Sequence, residues 1–230
     1  MASRLTLFIW LNLCCLTLAR AEPLVLAMPH FPPFTYLDEW GNPAGMGYQK
    51  VKQTLDKAGI DFRVEAVPNY GRALAETRRG NVDGFFIASQ NAERDTIAEY
   101  SGGILNNPWS WYHWPENSQN LCQQAVTTIL NTNTHRWLKR QQCRAIKPSN
   151  TPDELVHLLL KRKVSSVFVA QVVMHKALLN AGLSADHFSE RVEINKPVGI
   201  YISHQTLKQQ PELMLQVRRA IQPPATVENR

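Results

Sequence analysis

The feature that most constrains this chain of 230 residues is a short apolar strand followed directly by polar residues. Residues 84–88 form an apolar run without helical periodicity, introduced by Gly80 and Asp83, so the run predicts a buried strand. Polar residues from Ser89 to Arg94 follow at its carboxyl end. Open α/β sheets bind their ligands at that edge, so these polar residues are candidates for a binding site.

The residue types after this strand suit the recognition of an anion. Ser89 offers a hydroxyl, Asn91 can cap a following helix, and Arg94 carries a planar guanidinium that can pair with a carboxylate through two hydrogen bonds. A surface arginine behind a helix cap would show the same residues. The residue types alone therefore leave both interpretations open.

Two motifs in the first half of the chain extend this observation. The first is Phe31-Pro32-Pro33-Phe34 followed by Asp38, Gly41, Gly45 and Tyr48, and the second is Gly80-x-Val82-Asp83, the apolar strand, Ser89, Glu93-Arg94 and Tyr100-Ser101. In order and spacing they resemble family 3 of the bacterial periplasmic solute-binding proteins. The resemblance covers nearly the whole chain after the leader described next, and it is strongest up to Ser101.

The first 21 residues have the pattern of a signal peptide. Arg4 precedes an apolar run over residues 5–18, and small residues stand at the two positions that a signal peptidase reads, Ala19 and Ala21. This pattern predicts cleavage before Glu22 and export to the periplasm. The alternative is an uncleaved anchor. Cleavage would leave 209 residues, enough for one large or two small domains.

Two cysteines remain after this leader, and an oxidising compartment favours a disulfide between them. Cys122 and Cys143 each precede an apolar run, so each would enter a strand from the same end, and adjacent parallel strands would bring them together. Neither has a histidine or a second cysteine at metal-ligand spacing. We therefore predict a Cys122–Cys143 disulfide, no metal site and no cofactor.

The charge of the chain gives little indication of a macromolecular partner. The formal charge is +6, and it falls to +4 without Arg4 and Arg20. The remaining basic residues are scattered, so a nucleic-acid partner is not indicated. The expected partners are an anionic or zwitterionic small molecule and a membrane transporter or receptor, and we expect a monomer.

The periodicity after residue 22 predicts alternating strands and helices. Strands are expected at 24–28 and 62–67, an apolar helical stripe runs from Tyr48 to Ala58, and a short helix precedes Gly80. A β-α-β-α-β series of this kind predicts a parallel sheet. After Ser101 the composition changes to glycines, asparagines and alternating tryptophans, which is typical of a crossover between lobes. Whether the tryptophans line a cleft or pack in a core stays open.

A second α/β series follows the crossover. Strands are expected at 125–130, 164–169 and 198–202, and helices at 135–142, 172–180 and 213–221, with a further helix beginning at the cap Thr151. The Thr-rich turn 131–134 precedes a helix amino terminus, where free amides can hold a carboxylate. Simple capping of that helix by Thr134 or Asn133 is compatible with such a role.

The resemblance implies an α/β fold of two lobes, each a mainly parallel sheet flanked by helices, joined by two crossovers near Trp109 and Pro197. Lobe 1 would comprise residues 22–108 with 198–230, and lobe 2 residues 109–197. Members of the family close on a small solute and hand it to an ABC-type transporter. Carried over by position, the ligand-binding residues would be Phe31 and Tyr70 as aromatic walls, Ser89 and Arg94 as carboxylate ligands of lobe 1, and Thr134 as the carboxylate ligand of lobe 2.

The sequence departs from the family's pattern in lobe 2. Amino-acid binders usually carry an aspartate there for the ligand's ammonium, but residues 163–171 contain no carboxylate. We therefore expect a small organic acid, or a modified or peptide-like amino compound. The alternatives are an enzyme of the cyclohexadienyl-dehydratase type, in which a carboxylate in the cleft serves as acid or base, and a sensory module that presents its ligand to a receptor. Glu93 and Asp95 flank Arg94, but they more naturally are charges at the start of a helix.

Overall fold

The computed structural model describes residues 22–130, 132–144 and 148–221. The predicted signal peptide, residues 1–21, lies outside the described residues, as does the carboxyl-terminal stretch 222–230 that the sequence assigned to lobe 1. The described chain forms a two-lobed α/β fold with one large sheet in each lobe and a small hairpin sheet. No helix in this part of the chain is both long enough and apolar enough to cross a bilayer.

Eleven strands and eight α-helices make up the described chain. The strands are β1 (Leu24–Pro29), β2 (Tyr36–Leu37), β3 (Pro43–Ala44), β4 (Phe62–Val67), β5 (Gly84–Ser89), β6 (Ala98–Tyr100), β7 (Pro108–His113), β8 (Val126–Thr127), β9 (Ser166–Ala170), β10 (Ser189–Asn195) and β11 (Val198–Ser203). The helices are α1 (Met46–Ala58), α2 (Tyr70–Arg79), α3 (Ala92–Asp95), α4 (Asn133–Arg140), α5 (Pro152–Leu160), α6 (Gln171–Asn180), α7 (His204–Gln209) and α8 (Leu213–Ala220).

The first sheet has the strand order β4-β1-β5-β11-β6. Strand β1 pairs in parallel with both β4 and β5, which confirms the parallel series predicted from the first hundred residues. Strand β11 returns to this sheet from the far end of the chain and pairs antiparallel with β5 and β6. The site strand β5 therefore lies between β1 and the returning strand, and all six of its residues are buried.

The second sheet has the order β10-β7-β9-β8, and it is less parallel than the sequence predicted. Only β8 and β9 are parallel, whereas β7 pairs antiparallel with both β9 and β10. The chain enters this lobe along β7 and leaves it along β10. An entry strand and an exit strand that cross the same boundary side by side must run in opposite directions, and this explains the difference.

The strand expected at 125–130 is shorter than predicted. Only Val126 and Thr127 pair with β9, and the chain beyond them pairs instead with the segment around Ser149. The Ser149 backbone amide donates to the Thr128 carbonyl at 2.8 Å, and the Leu130 amide donates to the Ser149 carbonyl at 2.8 Å. The run thus changes its partner after two residues, and it ends in a turn at Leu130.

Local capping explains where several helices begin and end. Gly59 and Gly80 end α1 and α2 in the left-handed conformation, with φ of 69° and 76°, which glycine adopts without a steric penalty. Thr151 caps α5 and accepts from the Glu154 amide, as predicted. For α4 the predicted cap was wrong, because the side chain that accepts from the His135 amide is that of Thr132 rather than Thr134 or Asn133.

Each lobe has its own hydrophobic core. In the second lobe the core surrounds Phe168, whose ring lies 4.6 Å from Trp111 and 4.7 Å from Trp137, centroid to centroid. In the first lobe buried side chains of β1, β5 and β11 pack against α1 and α8. Phe31 and Val172 pack against both of these cores, so the two lobes are in contact across the space between them.

A disulfide joins Cys122 to Cys143, which confirms the predicted pairing. Cys122 lies in a short 3-10 helix, Leu121–Gln123, and not at the start of a strand as expected, while Cys143 follows α4. Arg144 donates to the Cys122 carbonyl at 2.7 Å, so backbone hydrogen bonding also holds the two segments together.

Replacing both cysteines with serine should lower the free energy of unfolding by about 3 kcal/mol, because the bridge closes a loop of 21 residues in the unfolded chain. Urea unfolding of the oxidised protein and of the double variant measures the difference. The native protein with its disulfide reduced serves as the control and should match the variant. An unfolding free energy that is the same with and without the bridge would contradict this prediction.

Candidate functional site

The structure brings all five predicted ligand residues to one cleft between the lobes, with a volume of about 610 Å³. Both lobes contribute to its wall, the first through β5 and the start of α2, and the second through the start of α4 and the end of β9. Its lining includes Phe31, Tyr70, Ser89, Arg94 and Thr134, together with His30, Asn69, Ile87, Asn107, Trp109, Thr132, Asn133, Arg136, Asn150, Val169 and Val173.

Arg94 is the buried charge of this cleft. Its exposed fraction is 4%, and its guanidinium lies 4.9 Å above the centre of the Tyr70 ring, close enough for a cation–π contact. The guanidinium donates through Nη1 to the Ser89 carbonyl, and within the described residues no carboxylate forms an ion pair with it. Burial lowers the pKa of Arg94, and the charge of Arg136 acts in the same direction. A buried guanidinium without a counterion favours an anion in the cleft.

Tight local packing fixes the position of Arg94 relative to β5. Asn91 caps α3 by accepting from the Arg94 amide at 2.9 Å, so the arginine sits in the first turn after the strand. Asp95, the next residue, accepts from the Tyr201 hydroxyl at 2.9 Å. The guanidinium therefore points back over the end of β5 while the neighbouring carboxylate is held elsewhere.

Tyr70 and Ile87 form the wall beside Arg94. The Tyr70 hydroxyl donates to the Ile87 carbonyl, and burial raises the pKa of this phenol. Ile87 has a φ of 54°, an uncommon conformation for a β-branched residue that implies local strain. The strained backbone at Ile87 thus directs the Ile87 carbonyl at the site, where it accepts a hydrogen bond from the Tyr70 hydroxyl.

Aromatic rings form the apolar part of the cleft. Phe31 stacks on Phe34 at 5.2 Å and meets the edge of Tyr70 at 5.9 Å, so packing beside Phe34 and lining the cleft occur together. From the second lobe Trp109 lines the cleft, whereas Trp111 is buried in the core and donates through Nε1 to Glu193. The alternating tryptophans therefore divide between the two roles that the sequence left open.

Ser89 stands at the carboxyl end of β5, as the sequence predicted for the edge of the sheet. Its exposed fraction is 5%, and its hydroxyl makes one long contact of 3.5 Å to the Lys196 carbonyl. A contact of that length is weak, so the Ser89 hydroxyl keeps most of its hydrogen-bonding capacity for another acceptor.

The amino terminus of α4 faces Arg94's side of the cleft from the second lobe. The Thr132 side chain caps the His135 amide, and the Thr132 carbonyl accepts from the backbone amide of Arg136. The amides of Asn133 and Thr134 come first in the helix and have no intrahelical acceptor. These two donors and the helix dipole make this turn suitable for a negative group.

The hydroxyl of Thr134 is already engaged inside the protein. Thr132 donates its only hydroxyl proton to the Ile129 carbonyl at 2.6 Å, so the 2.8 Å contact between Thr132 and Thr134 requires Thr134 to be the donor. Thr128 then donates to Thr134, also at 2.8 Å. In this arrangement the free donor at position 134 is the backbone amide and not the side chain.

Arg136 is a cleft residue that the sequence analysis missed. It lies one turn into α4, is exposed, and donates through Nη1 to Asn133 Oδ1 at 3.0 Å. The sequence signal that could have identified Arg136 was its position. It lies just after the Thr-rich turn 131–134 and within the expected helix 135–142. No aspartate or glutamate is among the described residues that line the cleft.

The enzyme alternative needs a carboxylate in the cleft, and neither Glu93 nor Asp95 reaches it. Glu93 is exposed and Asp95 is hydrogen bonded to Tyr201 and Gln90. Across the described ranges no three His, Cys, Asp or Glu side chains cluster as metal ligands would. The positions of these carboxylates therefore do not supply the acid or base that the alternative needs.

The two sheets, the returning strand β11 and the cleft between the lobes define the type II periplasmic-binding-protein fold. A histidine kinase sensor domain with similarity to periplasmic binding proteins superposes with a TM-score of 0.68 and 14% identity, covering 87% of this chain and 89% of that chain. The GluR0 ligand-binding core from Nostoc punctiforme, in complex with L-glutamate, gives a TM-score of 0.66 at 16% identity over 86% of this chain and 91% of that one.

Two further relatives carry names of binding proteins. The arginine-, lysine-, histidine-binding protein ArtJ from Geobacillus stearothermophilus has a TM-score of 0.63 and 14% identity, covering 87% and 88% of the two chains. The amino-acid-binding protein AabA of Dichelobacter nodosus is 24% identical over 119 residues, half of this chain and 47% of its own length. The chain thus matches about half the length of this curated relative.

No family model matches the chain. The relatives described above carry the names of binding proteins, a ligand-binding core and a sensor domain. At these identities the structural likenesses establish the fold, and the fold class predicted from the sequence is confirmed.

Proposed function

We propose that this chain binds a small carboxylate-bearing solute in the cleft between two lobes, residues 22–108 with 198–230 and residues 109–197, and delivers it to an ABC-type transporter. The observation that carries the proposal is Arg94, a guanidinium with an exposed fraction of 4% that lines the cleft without a carboxylate partner among the described residues. Burying such a charge is costly unless an anion pairs with it, so a bound carboxylate would stabilise the site.

The geometry supports a carboxylate held from both lobes. Arg94 and the Ser89 hydroxyl approach it from the first lobe, and the Thr134 amide at the start of α4 approaches it from the second. Phe31 and Tyr70 form aromatic walls for the apolar part of the solute. A ligand that contacts both lobes stabilises the closed arrangement, because each lobe alone provides only part of its hydrogen bonds.

Delivery in the periplasm is proposed on the pattern of the first 21 residues and on the amino-acid-binding protein that matches half of the chain. Proteins of this fold include both binding proteins and a sensor domain, so a sensory module that presents its ligand to a receptor is the competing function. Both functions require the same cleft and differ in what the closed form contacts.

A thermal-shift screen of the protein from residue 22 against small organic acids and amino acids tests the proposal. A carboxylate present at a hundred times its dissociation constant should stabilise the fold by about 2.7 kcal/mol. Deletion of the gene should then reduce cellular uptake of the acid that binds. Stabilisation only by neutral or cationic compounds would contradict the proposed ligand class, and unchanged uptake would favour the sensory function.

A further inference from the structure

The cleft has more positive charge than a single carboxylate can balance. Arg94 and Arg136 both line it, and no described lining residue is acidic. The internal residues outside the described ranges, at 131 and 145–147, are Asn, Ala, Ile and Lys, so they contain no carboxylate either. The described lining therefore carries two formal positive charges, which a solute with two negative charges would balance.

Arg136 is placed to contact a solute rather than to neutralise a protein carboxylate. Its Nη1 donates to Asn133 Oδ1 at 3.0 Å, which holds the guanidinium beside the first turn of α4. One of its five N–H donors is used in this way, and among the described residues it forms no ion pair. Its other N–H groups have no acceptor among the described residues and can donate to a second anionic group.

The two arginines also affect each other directly. The positive charge of Arg136 lowers the pKa of Arg94, beyond the larger effect of burial, so the two guanidinium groups repel one another across the cleft. An anion bound to either arginine reduces this repulsion. An anionic group on each of them reduces it most.

An ammonium group finds no carboxylate among the described residues that line the same cleft. It would be a third cation beside two arginines, with no carboxylate to pair with. The Ile87 carbonyl, a backbone acceptor in the lining, already accepts the Tyr70 hydroxyl. Neutral hydroxyl and amide oxygens offset only part of the cost of burying an ammonium.

We propose that the preferred solute is a small organic acid with two anionic groups and no amino group. One carboxylate lies between Arg94 and the Thr134 amide, and the second lies on Arg136 beside the first turn of α4. This inference rests on the proposed function and narrows its ligand class. Arg136 is then the residue that distinguishes a dicarboxylate from a monocarboxylate.

Calorimetry with three matched acids of five carbons tests the inference. Glutarate and pentanoate differ by one carboxylate, and glutarate and glutamate differ by one ammonium. We expect glutarate to bind on the order of ten- to a hundredfold more tightly than pentanoate, since hydrogen bonds between charged groups are worth about 1.5–3 kcal/mol. Glutamate should bind more weakly than glutarate. Raising the salt concentration should reduce the difference in affinity between glutarate and pentanoate, because Arg136 is exposed and salt screens its charge.

Arg136→Gln should remove the advantage of glutarate over pentanoate, so the ratio of their two dissociation constants should fall towards one. Arg140→Gln is the matched control, an exposed arginine one turn further along α4 that does not line the cleft, and it should keep the full advantage. Equal binding of glutarate and pentanoate, or tightest binding of glutamate, would overturn this inference and leave the proposed carboxylate site standing. If no mono- or dicarboxylate of three to six carbons binds, both this inference and the proposed function are overturned.

Discussion

Replacing Arg94 with alanine should abolish measurable binding of a carboxylate solute. The arginine is buried, lies over the Tyr70 ring and has no carboxylate partner in the described chain. The solute's carboxylate would therefore lose the one buried arginine among the described residues of the cleft. Truncating one partner of a buried charged pair costs about 2–5 kcal/mol, which corresponds to roughly 30-fold to several thousandfold in affinity. Calorimetry on the native protein and the variant measures the loss.

Two further variants separate the geometry of Arg94 from its charge. Arg94→Lys keeps the charge but lacks the planar fork, so it should bind with intermediate affinity. Arg63→Ala removes an exposed arginine of β4 that does not line the cleft, and this variant should bind as the native protein does. Thermal unfolding of each variant confirms that it is folded. Undiminished binding by Arg94→Ala in a folded protein would refute the assigned role.

Replacing Phe168 with alanine should lower the free energy of unfolding by about 3–5 kcal/mol. The ring is fully buried and lies among Trp111, Trp137 and Trp109, at centroid distances of 4.6, 4.7 and 6.4 Å. Trp137 belongs to α4 and Trp109 lines the cleft, so the cavity would loosen two elements of the site. We therefore expect weaker solute binding together with the loss of stability.

Denaturant unfolding checks this expectation against a control in the same sheet. Val192 on β10 has an exposed fraction of 50%, and Val192→Ala should change the free energy of unfolding by less than about 0.5 kcal/mol. Phe168→Leu keeps most of the buried volume, so it should lower the free energy of unfolding by an amount between those of Val192→Ala and Phe168→Ala. A loss below about 1 kcal/mol for Phe168→Ala would show that the aromatic cluster does not hold this lobe together.

The parts of the fold that depend on nearby residues could be predicted from the sequence. The strand β4 has the predicted bounds, and α1 ends at Gly59 because a left-handed glycine stops a helix wherever it stands. The cap Thr151 and the turn at Asn91 likewise depend on contacts within four residues. The same holds for the end of β5, so Ser89 and Arg94 could be assigned to the edge of a sheet before the fold was known.

Strand β10 was not predicted from the sequence, because only two apolar residues, Val192 and Ile194, alternate with its polar and charged residues. It is an edge strand with glutamates and an arginine along it, and charged residues are typical of protected edges. Glu190 of this strand accepts from Gln171 at 2.9 Å and contacts His175 at 3.1 Å, so both of these partners of Glu190 come from α6. Such pairing depends on the tertiary structure and leaves no local signal.

The site residues missed from the sequence have the same physical origin. Asn133 and Thr134 were the caps expected from the sequence, and only the folded backbone selects Thr132, which in turn engages the Thr134 hydroxyl. Arg136 reads as an ordinary helix residue until α4 is placed opposite β5. The sequence could therefore assign Ser89 and Arg94 to the candidate site, whereas the second cation required the arrangement of the lobes.

A crystal structure of the protein with the tightest-binding acid from the screen tests the central claim most directly. The account predicts a carboxylate within about 2.7–3.2 Å of the Arg94 guanidinium, a normal hydrogen-bond range, with the Thr134 amide donating to the same group. The residues of both lobes that line the cleft should enclose the solute. A solute bound outside the cleft, or bound inside it with its carboxylate turned away from Arg94, would contradict the account.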